Sequence, residues 1–219
     1  MNPFAPRGRR GPGFPSSPRR RGQRLPSAAG LTLVELLFWL MVTSWIAVLL
    51  SQGFSRLEES VAIRSAVHET TVAFYRARSS AIARNRNVGL KFRMNGPRHE
   101  WTLYYDGNGN GVRSAEITSG VDPALGVYVP WSRNDVLPGI MTGIRVPDPG
   151  NPGGYLDRID DPIRFNNSDI CSFSGIGEST PGSVYLWDGR NRMAVVRVFG
   201  GTGKVRVLYY RRGERGWTR

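Results

Sequence analysis

The chain has 219 residues, enough for one ordinary core with an extension at each end. Its 30 Lys and Arg against 17 Asp and Glu give a formal net charge of +13. That charge sits mainly at the ends: residues 1–30 hold seven arginines and no acid, residues 188–219 hold nine basic and two acidic residues, and the stretch between is close to neutral. The single cysteine, Cys171, excludes an intrachain disulfide and a cysteine-based metal cluster.

Residues 1–29 are rich in Arg, Pro, Gly and Ser and have almost nothing to bury, which reads as a disordered basic segment. It is either a solvated tail or a basic patch for nucleic acid, and the segment that follows decides between them. Residues 31–50 carry one charge, Glu35, and as a helix of about 30 Å they are long enough to span a bilayer. Basic residues before such a run keep the N-terminus in the cytoplasm. A secretory signal is cut after its apolar region. Here the small residues Ser27, Ala28, Ala29 and Gly30 precede it, so a cut at Gly30 leaves the apolar helix on the protein as an anchor. Ser51-Gln52-Gly53 is the conventional alternative site.

The helical pattern continues beyond this run. No proline occurs between Pro26 and Pro97, and Ile63, Ala66, Val67, Thr70, Ala73, Phe74, Ala77 and Ala81 form a stripe at helical spacing, with Arg64, His68 and Arg76 opposite. The spacing predicts one helix over 31–84, greasy all round in its first half and amphipathic in its second, with Gly53 as its weak point. After Asn85 the period becomes two. Val88, Leu90 and Phe92 alternate with Gly89, Lys91 and Arg93, a turn follows at Asn95-Gly96-Pro97, and Trp101, Leu103 and Tyr105 resume the pattern as a hairpin to be packed on the helix stripe.

Asp106-Gly107-Asn108-Gly109-Asn110-Gly111 places oxygen side chains where an EF-hand loop has its first ligands, making Asp106, Asn108 and Asn110 a calcium candidate. The closing position holds Ile117, with Glu116 one residue early, and a Gly/Asn-rich turn explains the same letters. Residues 112–174 match no motif, and 145–162 read as a long Pro- and Gly-rich loop. A second hairpin joins residues 195–199 to 205–209 through Gly200-Gly201-Thr202-Gly203, which lacks phosphate-loop spacing. His68, His99 and Cys171 form no nucleophile-and-base arrangement, so neither an enzyme nor a cofactor is implied. The C-terminal region is the stronger binding candidate. Lys204 and Arg206 share a strand face, Arg211, Arg212, Arg215 and Arg219 follow, and Tyr209, Tyr210 and Trp217 lie among them. Arginines hold phosphates and aromatics stack on bases, which points to DNA; a solvated edge strand blunted by charge explains the same residues.

Several of these segments resemble known families. Gly30-Leu31-Thr32-Leu33-Val34-Glu35 resembles the type IV prepilin motif, with Leu31 in place of the commoner Phe. The resemblance implies that a prepilin peptidase cuts after Gly30 and methylates the new amine on Leu31. It also implies that Glu35 pairs with the amine of a neighbouring subunit during filament assembly. An unpaired carboxylate in hydrocarbon costs roughly 3 kcal/mol or more, which favours such a partner over snorkelling to the interface. Residues 77–85 resemble the helix end of the GspH/FimT group of pseudopilins and minor pilins; Trp101 with the Asp106 turn resembles its aromatic strand and turn, and Gly203-Lys204-Val205-Arg206-Val207 its closing strand. In the FimT branch a closing G-R-x-R motif is associated with DNA capture, and Gly203-Lys204-Val205-Arg206 is similar to it.

The expectation is therefore an α+β, pilin-like chain: a long N-terminal helix, membrane-embedded in its first half, packed on a small antiparallel sheet. Residues 1–30 are a removable leader, 31–53 the membrane half of the helix, and 54–219 a periplasmic head. The implied role is a minor pseudopilin at or near the tip of a type II secretion pseudopilus, single-pass in the inner membrane, with a FimT-like type IV minor pilin as the alternative. Its partners are other pseudopilins or pilins, the prepilin peptidase, the inner-membrane assembly platform and membrane lipid, with DNA as a candidate.

Overall fold

The computed structural model describes residues 32–96, 98–131 and 136–219, with 50–59 described by backbone alone. The leader, Gly30 and Leu31 lie outside the described residues. The chain divides into two compact units, Met1–Ala47 and Val48–Arg219.

The first element is α1 (Leu33–Arg84). Thr32 caps its start, accepting the Glu35 N–H on Oγ1 at 3.3 Å. In the first unit the described part of the helix exposes Leu36, Leu37, Phe38, Trp39, Leu40 and Met41, with Leu33 77 % exposed. Thr43 and Ser44 turn their hydroxyls back onto the Trp39 and Leu40 carbonyls at 2.8 and 2.7 Å, which hides their polarity within the helix. Among the described residues no helix is long and apolar enough to cross a membrane. The run expected to do so begins at Leu31, outside the described residues, and Leu50 belongs to the part given by backbone alone.

In the second unit α1 buries the expected stripe, Ile63 through Ala81, and leaves Arg64, His68 and Arg76 exposed. Gly53 lies within α1 rather than at a break. The helix ends as a Schellman motif: Asn85 takes a positive φ of 48°, its N–H donates to Ile82 O, and the Arg86 N–H donates to Ala81 O.

The strands then follow as β1 (Val88–Asn95) and β2 (Arg98–Tyr105), a short α2 (Ser114–Ser119), and β3 (Val129–Pro130), β4 (Leu137–Pro138) and β5 (Ile163–Arg164). They end with β6 (Ile170–Phe173), β7 (Gly182–Trp187), β8 (Arg192–Phe199) and β9 (Lys204–Arg211). These make two antiparallel sheets, ordered β3-β2-β1-β6 and β4-β7-β8-β9, with β5 also on β7. Both expected hairpins form, β1–β2 with Phe92 opposite Trp101 and β8–β9 with Val196 opposite Val207.

The main core lies between α1 and the two sheets. Phe74, fully buried, meets Phe92 of β1, Phe165 after β5 and Phe173 of β6 at ring separations of 6.2, 5.8 and 6.4 Å. Gly182 is required by this packing, because a Cβ there would lie 2.2 Å from the Phe165 ring. The strict alternation expected of β2 fails: Thr102 and Tyr104 are buried as well as Trp101 and Leu103. Residues 124–131 cross its outer face, where Thr102 donates to Val127 O at 3.0 Å and Tyr104 bonds Tyr128.

A second cluster covers the far side of the other sheet. Tyr185, Met193, Val195 and Tyr210 pack there beneath Ile140, Met141 and Val146, with Leu208, Leu156 and Trp217 at its margin. The expected loop over 145–162 is thus in part a cover, folded on itself by a bridge between Pro147 and Tyr155 and tied down by bonds from Trp217 and Arg197.

Candidate functional site

Three groups of residues carry the chemical expectations, and the fold treats them differently. Glu35 sits in the first turn of α1, where the unsatisfied N–H groups favour an anion. With Thr32 three residues earlier it also has the spacing of a capping box, a local role at the start of the helix. Leu31, its expected intermolecular partner, lies outside the described residues.

The Asp106 loop is a knot of backbone hydrogen bonds. Asp106 is 1 % exposed. Its Oδ1 accepts the Gly109 N–H at 2.6 Å, and its Oδ2 accepts the Gly111 N–H at 2.7 Å and Asn87 Nδ2 at 2.9 Å. Burial raises the pKa of this carboxyl, but the bonds from Asn87, Gly111 and Gly109 outweigh it and the group titrates below the ordinary aspartate value. Asp122 completes the knot by accepting the Gly107 N–H at 3.0 Å and the Arg113 N–H at 2.9 Å. Asn108 and Asn110 each donate Nδ2 to Glu116 Oε1, at 3.2 and 2.7 Å. The Asp106 oxygens accept these N–H groups in the manner of a Gly/Asn-rich turn. Gly107 is obligatory, because a Cβ there would lie 1.9 Å from Val121 O.

His68 is on the exposed face of α1, His99 is on β2, and Cys171 is buried on β6 opposite Leu90. Burial lowers the pKa of His99 and pushes the Cys171 thiol well up, the reverse of what a reactive thiolate needs.

The basic residues near the C-terminus fall into two groups. Lys204 and Arg206 are exposed on one face of β9, and Arg206 rests its guanidinium 5.2 Å from the Phe199 ring centre. Arg197, directly across from Arg206, donates Nη1 to Pro149 O at 2.7 Å. Arg211 ends the strand about 23 Å from Lys204 and about 17 Å from Arg206 at ~3.3 Å per residue, and Arg212 donates Nη2 to Thr142 O. Arg215 is exposed beyond them. The aromatic residues expected among these arginines are largely engaged in packing. Tyr210 is 4 % exposed, Trp217 contacts its ring at 5.4 Å and donates Nε1 to Pro147 O at 2.7 Å, and Tyr209 pairs with Thr218. Tyr210 and Trp217 pack in the second cluster under the 140–156 segment, whereas Tyr209, on the opposite face of β9, is half-buried against the main core.

Neither a curated protein nor a solved structure matches the chain. A family model, type II transport protein GspH, matches residues 66–203, from the buried stripe of α1 through both sheets to the turn of the last hairpin, and the chain belongs to that family.

Proposed function

We propose that this protein is a minor pseudopilin, a structural subunit of a type II secretion pseudopilus, incorporated at or near the filament tip. The observation that carries the reading is membership of the GspH family across the head. The proposal assigns residues 1–30 to a leader cut after Gly30, 31–53 to an inner-membrane helix with its N-terminus in the cytoplasm, and 54–219 to a periplasmic head. The exposed apolar side chains over 33–49, with Thr43 and Ser44 satisfied inside the helix, support a surface suited to lipid or to neighbouring helices. Helix packing supplies cohesion in the filament, and Glu35 against a neighbour's Leu31 amine supplies register. The mechanism is assembly, without a chemical step.

The test is Glu35→Gln in the native host, with filament incorporation followed by shearing and with membrane levels of the subunit measured alongside. Glutamine keeps the capping geometry and loses the charge. Loss of incorporation at unchanged membrane levels is the expected result; normal incorporation would reduce Glu35 to a helix cap. The FimT-like reading draws on Lys204 and Arg206, which are exposed and, among the described residues, unpaired. Deletion of the gene separates the two: loss of secreted proteins with transformation intact supports the secretion subunit, and the converse supports the pilus.

A further inference from the structure

β9 is an edge strand of the second sheet, ordered β4-β7-β8-β9. Tyr209 exchanges both backbone bonds with Thr218, donating N–H at 2.7 Å and accepting at 2.8 Å, so its amide and carbonyl point away from β8. The Arg211 N–H, two residues on, likewise points outward, to Glu214 Oε2. By the period of two, the N–H and C=O of Val207 and Val205 face the same open side. Among the described residues nothing bonds them. Side chains of the same strand flank this backbone row: Lys204 and Arg206, exposed and without an ion pair among the described residues, project on one face, and Val205 and Val207 on the other, half-buried against the core.

The surroundings share the charge. The hairpin turn at Gly203 lies against the Arg78 guanidinium. At the other end Tyr209 and Thr218 line a cleft of about 510 Å³ with Ile63, Arg64, His68 and Arg219. A second copy of the chain, which keeps a net +6 (13 − 7) once residues 1–30 are set aside, is a poor occupant. Charges that keep neutral or basic strands off an edge select an acidic one.

We propose that the Val205–Val207 edge of β9 binds an extended acidic segment of a partner protein by β-augmentation, with carboxylates opposite Lys204 and Arg206 and apolar residues opposite the two valines. The site stands apart from the assembly role of Glu35, and peptide binding is read independently of filament phenotype.

The probe is a short peptide alternating valine and glutamate, titrated by fluorescence anisotropy into the full chain in detergent at low salt. N-methylation of its valine amides keeps the charge and removes the backbone bonds, and is expected to weaken binding by about tenfold or more. Val207→Pro removes only an outward N–H, which an edge strand tolerates, and is expected to act alike. Lys204→Glu with Arg206→Glu serves as the second variant should proline disturb folding, and is also expected to abolish binding. Equal binding of the parent and N-methylated peptides, or no binding of either, would overturn the proposal. A DNA duplex that displaces the peptide and binds the Val207→Pro variant as tightly as the wild type would also overturn it, assigning the face to phosphate.

Discussion

At the scale of single residues, the tightest arrangement is the Asp106 carboxylate with its three N–H donors, two from the backbone and one from Asn87. Asp106→Ala leaves those donors unpaired in a buried loop and is expected to cost about 2–4 kcal/mol in urea unfolding. The sign of the pH dependence follows from the folded carboxyl titrating below its unfolded value. Its contribution is complete above the ordinary aspartate pKa and is lost as pH falls through the lower, folded pKa. The gap between wild type and Asp106→Ala in unfolding midpoint should therefore be full at neutral pH and close only in strong acid. A second buried pair is Trp131 Nε1 donating to Thr70 Oγ1 at 3.1 Å. Thr70→Val keeps the shape and strands the indole N–H, for an expected loss of about 1–3 kcal/mol by the same measurement. The Asp106 turn was legible from its Gly/Asn spacing. Its dependence on Asn87 and Asp122 was not, because local spacing carries no information about partners brought in by the β1–β2 pairing, as Asn87 is, or by the segment after α2 that bonds β2, as Asp122 is.

At the scale of elements, the second half of α1 was legible because it buries one face and a buried face imposes a period, and the two hairpins were legible from their turn residues between apolar segments, although β2 and β8 bury both faces over part of their length. Phe74 is the centre of the helix face, and Phe74→Ala is expected to cost about 3–5 kcal/mol, against about 0.5 kcal/mol or less for Val72→Ala on the exposed side. Chemical denaturation of the two variants measures the difference. β6 and β7 were missed for the complementary reason. Their sequences, ICSF and GSVYLW, lie inside the protein with both faces covered over most of their length, and a continuous apolar run has no alternation to detect. Gly182, at the start of β7, reads as a turn residue in sequence, whereas it is there to let Phe165 pass.

At the scale of the whole molecule, the second cluster changes what the chain presents to partners. Trp217 pins the 145–156 cover through Tyr210, Tyr185 and the Pro147 carbonyl. Trp217→Ala is expected to speed hydrogen exchange at the amides of Asp148 and Leu156, which bond across the cover, and to leave the β1–β2 amides protected. The sequence by itself determined the long helix followed by the two hairpins, the buried stripe of α1, the exposed faces of Lys204 and Arg206, and the apolar run with its glutamate. These follow from period, charge and turn chemistry, which act between near neighbours. Only the tertiary structure decided that Tyr210 and Trp217 are core rather than surface, that the Asp106 oxygens are turned to amides, and that Val205 and Val207 keep an open edge. Each of these depends on which distant segment lies alongside. A period states that a face is buried and is silent about what buries it.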